Sequence, residues 1–114
     1  MPEECDHFFC MKILFDQGTP VPLRRALKEH SVSTAYEIGW HQLDNGELLT
    51  ATEARFDALV TTDQNLRHQQ NLAQRRLAIL VLPTANWPDL RAHEAQIVAA
   101  INALRPGDVV ELKF

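Results

Sequence analysis

Short apolar runs alternate along this chain with longer stretches in which apolar residues recur every three or four positions. KILFD (12 to 16) predicts a first strand that ends in Asp16. Pro20 and Pro22 then open a segment with Leu23, Ala26 and Leu27 at helical spacing. VSTAYEIGW (32 to 40) has the β-branched and aromatic content of a second strand, stopped by Gly39. In GELLTATEARF, Leu48, Leu49, Thr52 and Phe56 form one helical face. ALVTT (58 to 62) and LAILVLP (77 to 83) predict strands three and four, and both lack polar alternation. Such strands are covered on both faces, as in a parallel sheet between helices.

Pro88 leads into a helix whose stripe is Leu90, Ile97, Val98, Ile101 and Leu104, ended by Pro106 and Gly107. VVELKF (109 to 114) predicts a fifth strand. Strand followed by helix, several times over, describes an α/β domain of three layers with a mostly parallel sheet of about five strands and helices on both faces.

Composition narrows this picture. A chain of 114 residues suits one hydrophobic core and is too short for two. Residues 1 to 10 read as a poorly ordered N-terminal leader, and residues 11 to 114 as the domain. The leader holds both cysteines, Cys5 and Cys10, in CDHFFC, whose spacing matches no common zinc-ligand pattern. MPEECDHFF is acidic where a signal peptide is basic, and no apolar run is long enough to span a bilayer, so a cytoplasmic protein without a membrane anchor is expected. A net charge of -4 argues against a nonspecific nucleic-acid coat. It leaves room for a nucleic-acid enzyme that neutralises its acids with divalent cations.

The candidate chemistry lies where strands stop. In an open parallel sheet, ligands bind beyond the carboxyl ends of the strands, near the point where strand order reverses. Asp16 ends strand one, and Asp63, in LVTTDQN, follows strand three. Two carboxylates ~5 Å apart at an effective dielectric of ~20 repel by about 3 kcal/mol. Either one takes a proton, or a cation sits between them. The plainer reading makes each aspartate a cap or turn residue for the segment that follows it. Glu47, from the next helix, is a third acid, although Asp44-Asn45-Gly46-Glu47 also spells a capping box. Glu37 and Asp44 are further acids for the same edge.

The order KILFDQGTP, YEIGW, NGELL, ATEARFDALVTTDQNL and RRLAILVLP resembles the stand-alone PIN-like domain family of short bacterial proteins, some of them toxin components. The resemblance runs from about Met11 to Leu112. It implies a PIN fold and an acid cluster that binds Mg²⁺ or Mn²⁺ and cleaves RNA. The strand-one acid of the family falls on Asp16, its helix acid on Glu47 and its T-x-D acid on Asp63. A fourth acid is expected after strand four, where this chain has PTANWPD, with Asn86 and Asp89 as the nearest substitutes. Arg67, His68 and Arg24 are the expected substrate contacts, with Arg25 and Lys28 beside Arg24. An antitoxin protein and a homodimer are the partners that the resemblance suggests.

Two rival readings accompany it. A catalytically weak or inactive interaction module fits Gln17 and the missing fourth acid. A receiver-type phosphoacceptor fits Asp16, Asp63, Thr84 and Lys113, but has Gln17 where a second acid belongs. Trp40 and Trp87 suit either base stacking or packing beside the core, and the latter is expected.

Overall fold

The computed structural model of the chain describes residues 10–66 and 75–114. The leader lies outside these residues except for Cys10, and so do the expected substrate contacts Arg67 and His68. The strands are β1 (Lys12–Phe15), β2 (Ser31–Thr34), β3 (Ala58–Thr61), β4 (Ala78–Val81) and β5 (Val109–Glu111). They form one five-stranded sheet in the order β2-β1-β3-β4-β5. Every neighbouring pair is parallel. The architecture is α/β, consistent with a three-layer fold.

The alternation of Cβ directions along a strand divides the core in two. Ile13 and Phe15 of β1, Ala58 and Val60 of β3, and Ala78 and Leu80 of β4 belong to one cluster, together with Leu23, Leu27, Leu90, Ile97 and Ile101. Leu14, Leu59, Ile79 and Val81 belong to the other, with Leu49 and Leu66. All four residues of β3 and of β4 are buried, as the unbroken apolar runs require. Trp87 packs beside the first cluster and Trp40 beside the second, so both indoles flank the core.

The helices are α1 (Asn45–Arg55), α2 (Trp87–Ala92) and α3 (Glu94–Asn102). Residues Val21–Leu27 wind as a 3₁₀ helix. Pro22 has no N–H to give, and the Leu23 N–H turns to the carbonyl of Pro20, three residues back, at 3.2 Å. That tightens the turn.

Two elements differ from the expected pattern. The last helix is broken at His93, whose ring Nδ1 lies 2.9 Å from the carbonyl of Asp89. That carbonyl is the α-helical acceptor for the His93 N–H, which bonds Leu90 instead, at 3.0 Å. The second strand stops at Thr34, well before Gly39, because its end is captured from the side. Thr34 N–H donates to Glu37 Oε1 and Glu37 N–H donates to Thr34 Oγ1, each at 3.1 Å. This reciprocal pairing starts a turn that runs through Gly39, whose φ of 79° suits glycine. Glu37 therefore lies in a turn and not on a strand. Among the described residues, no helix is long and apolar enough to cross a membrane.

Candidate functional site

Sheet order brings the first two acids to one border. β1 lies between β2 and β3, so chain order reverses between β1 and β3. Phe15 is in register with Val60, and each strand leads from there into polar sequence on the same edge. The Asp16 N–H donates to the Val60 carbonyl at 3.1 Å, which extends the ladder by one bond.

Asp16 is held by hydroxyls. Thr61 Oγ1 donates to Asp16 Oδ2, and Thr19 Oγ1 lies 2.7 Å from Asp16 Oδ1. Thr19 Oγ1 is also 3.0 Å from the Val60 carbonyl; its single proton serves one acceptor at a time. Residues 14 and 59 share a core cluster, so alternation sends residues 16 and 61 to the same side, which is why Thr61 reaches Asp16. Burial pushes the Asp16 carboxyl above its usual range, against the hydrogen bonds from Thr61, Thr19 and the Gly18 and Thr19 amides, which pull it down.

Asp63 is linked to this group through Thr61. The Asp63 N–H donates to Thr61 Oγ1 at 3.0 Å. Its side chain has two further partners: Asn65 N–H donates to Oδ1 at 2.9 Å and Asn45 Nδ2 to Oδ2 at 3.2 Å. The turn reading of Asp63 therefore holds in the bond from Asn65. The Asn45 bond adds something local sequence does not predict, a tie between the start of α1 and the end of β3. No Lys, Arg or His among the described residues forms an ion pair with Asp16 or Asp63.

The other candidate acids are differently engaged. Asp44 caps α1: its Oδ1 accepts from Glu47 N–H at 2.8 Å, and Glu47 Oε1 accepts from Asp44 N–H at 3.1 Å. The capping box is complete, and among the described residues Glu47 Oε2 has no hydrogen-bond partner. Glu37 pairs with Arg24 through both oxygens, at 3.0 and 2.9 Å. Arg24 Nη1 also reaches the Val32 carbonyl at 3.3 Å, so this expected substrate contact is tied to the β2 end. Asn86 caps α2, accepting from Asp89 N–H at 3.0 Å. Among the described residues, no three His, Cys, Asp or Glu side chains stand close enough together to hold a metal ion.

Thr19, Thr61 and Asn45 are the supporting residues that the sequence analysis missed. The D-x-x-T spacing of Asp16 and Thr19, and the shared strand parity of Asp16 and Thr61, were legible signals; nothing in the sequence paired Asn45 with Asp63. No protein-family model, curated protein or solved structure matches the chain.

Proposed function

We propose that the chain is a metal-dependent ribonuclease of PIN-like type, acting in the cytoplasm as the toxin component of a toxin–antitoxin pair. The observation that carries this reading is the linkage of Asp16 and Asp63 through one threonine, at the carboxyl border where strand order reverses. Ligands of open parallel sheets gather at that place.

The donor set suits a hard divalent cation. It offers carboxylate oxygens, and Asp16 is a half-buried acid with no cationic partner among the described residues. Mg²⁺ is commonly bound by one or two carboxylates plus substrate phosphates, and keeps several waters. Asp16 and Asp63 would hold it, with Glu47 Oε2 reaching it through water. Bound there, Mg²⁺ or Mn²⁺ would neutralise the phosphoryl oxygens and make the attacking water more acidic. Thr61 and Thr19 keep the Asp16 carboxylate oriented, and Asn45 does the same for Asp63. An antitoxin would act by covering this acidic border.

The test is purified protein with Mn²⁺ and a mixed RNA pool, compared with Asp16→Asn and Asp63→Asn. Metal-dependent cleavage is expected in the parent and in neither variant. Equal cleavage by all three proteins refutes the reading.

One observation favours a second reading, an interaction module with little or no turnover. Glu37 is bound to Arg24 and Glu47 is half-committed to its cap, which leaves two acids where a full nuclease site has more. A Mn²⁺ titration that leaves the melting temperature unchanged would favour the module.

A further inference from the structure

Beyond the acids, the border carries one feature that the cleavage chemistry does not use. Tyr36 is 70% exposed, the most exposed of the large apolar side chains among the described residues; Val21 and Phe114 follow at 48% and 44%. Its position is set by the backbone of the site. The Ala35 N–H donates to the Phe15 carbonyl at 2.9 Å, while the N–H of the same Phe15–Asp16 peptide donates to Val60. That peptide is thus clamped between the end of β2 and the end of β3, with Tyr36 one residue beyond the clamp. Tyr36 therefore follows directly on the residue that is hydrogen-bonded to the carbonyl preceding Asp16.

The turn that presents Tyr36 is closed by several backbone hydrogen bonds. Ile38 N–H bonds the Thr34 carbonyl at 3.3 Å, Gly39 N–H bonds Tyr36 at 3.2 Å and Trp40 N–H bonds Ala35 at 2.8 Å. The Thr34–Glu37 pairing and the Arg24–Glu37 ion pair brace it from the side. The His41 ring stacks on Tyr36, with centroids 4.8 Å apart and planes 28° from parallel. An aromatic already ordered in this way loses little conformational freedom on meeting a ligand.

We infer that Tyr36 is a stacking platform for a base of the RNA whose phosphate lies at Asp16. This rests on the ribonuclease reading for what happens at Asp16. A flat ring suits one planar base and is indifferent to its identity. A protein interface calls instead for a broad apolar patch, whereas the residue that follows Tyr36 in this turn is the exposed, charged Glu37, paired with Arg24.

The experiment measures binding of a fluorescent hexamer of single-stranded RNA, without divalent metal so that nothing is cut. A hexamer of the same backbone with its bases removed is the control. Tyr36→Ala is expected to weaken binding of the base-bearing hexamer by about 5- to 100-fold and to leave the abasic one unchanged. Tyr36→Phe should bind within about twofold of the parent. Equal binding by parent and Tyr36→Ala, equal losses on both hexamers, or no binding by the parent would each overturn the inference; the last would point to a protein partner. Cleavage assays with Mn²⁺ separate the two ideas. Cleavage indifferent to Tyr36→Ala sinks the platform and spares the nuclease, whereas Tyr36-dependent binding without cleavage does the reverse.

Discussion

Thr61 Oγ1 donates to Asp16 Oδ2 and accepts the N–H of Asp63. One hydroxyl at the end of β3 therefore ties the Asp16 carboxylate to the backbone amide of Asp63. Thr61 is 1% exposed, so water cannot readily replace what it gives to Asp16.

Thr61→Val keeps the shape of the side chain and removes that donor. It should cost about 1–3 kcal/mol at neutral pH, the range for leaving a buried polar group unsatisfied. The loss should shrink in acid, where Asp16 carries a proton. Urea denaturation at the two pH values measures both effects.

Asp16 titrates above its ordinary value of 3.8 because burial disfavours the charge. The folded protein then holds that proton more tightly than the unfolded chain. Stability from this group is highest below 3.8 and falls as pH rises through the folded value. Asp16→Asn, which cannot ionise, should be more stable than the parent at pH 7, with the difference closing on acidification. Calorimetry of the pair would show this. Mn²⁺ at about 100 times its Kd should raise the parent's stability by about 2.7 kcal/mol and leave Asp16→Asn unchanged.

Glu37 has the opposite sign. The Arg24 hydrogen bond, ahead of the Thr34 amide, draws its carboxyl below 4.5. Its contribution is present above 4.5 and is lost as pH falls through the lowered value. The two side chains are 35% and 48% exposed, so solvent screening limits the pair to about 1 kcal/mol or less. A double-mutant cycle of Arg24→Ala and Glu37→Gln should give a small coupling at low salt that vanishes in about 1 M salt.

The box on α1 separates structural from chemical roles. Asp44→Ala should cost about 1 kcal/mol through the lost N-cap. Glu47→Gln preserves the reciprocal bond, since glutamine serves equally in a capping box, and should stay within about 0.5 kcal/mol of the parent. If Glu47 Oε2 assists cleavage, that same variant loses RNA cutting while its melting temperature holds.

Gly18 adjoins Asp16. A Cβ there would meet Thr62 Oγ1 at 2.7 Å, closer than such atoms tolerate. Gly18→Ala should destabilise by about 1–3 kcal/mol, the usual cost of overpacking. Adding Thr62→Ala removes the obstructing oxygen, so the double variant should be more stable than additivity allows.

The residues differ in how far sequence alone revealed their roles. The Asp44–Glu47 box was readable because its partners are three residues apart and need only each other. The strands of the core were readable because burial on both faces demands unbroken apolar runs, as in ALVT and AILV. The end of β2 was misplaced because YEIGW has the composition of a strand, and composition does not register that Thr34 and Glu37 trade hydrogen bonds across a turn. The break at His93 escaped for a similar reason: the apolar stripe continues past it, and only a ring nitrogen competing for one carbonyl interrupts the helix.

By itself, then, the chain's own pattern determined the α/β class, the parallel strands and the placing of Asp16 and Asp63 where β1 and β3 give out, since those features follow from local periodicity and turn chemistry. Tertiary structure alone decided that β1 and β3 are neighbours, that Thr61 reaches the Asp16 carboxylate, and that Arg24 is bound to Glu37. Adjacency in a sheet is set by how whole strands and helices share one core. No short stretch of residues carries that information.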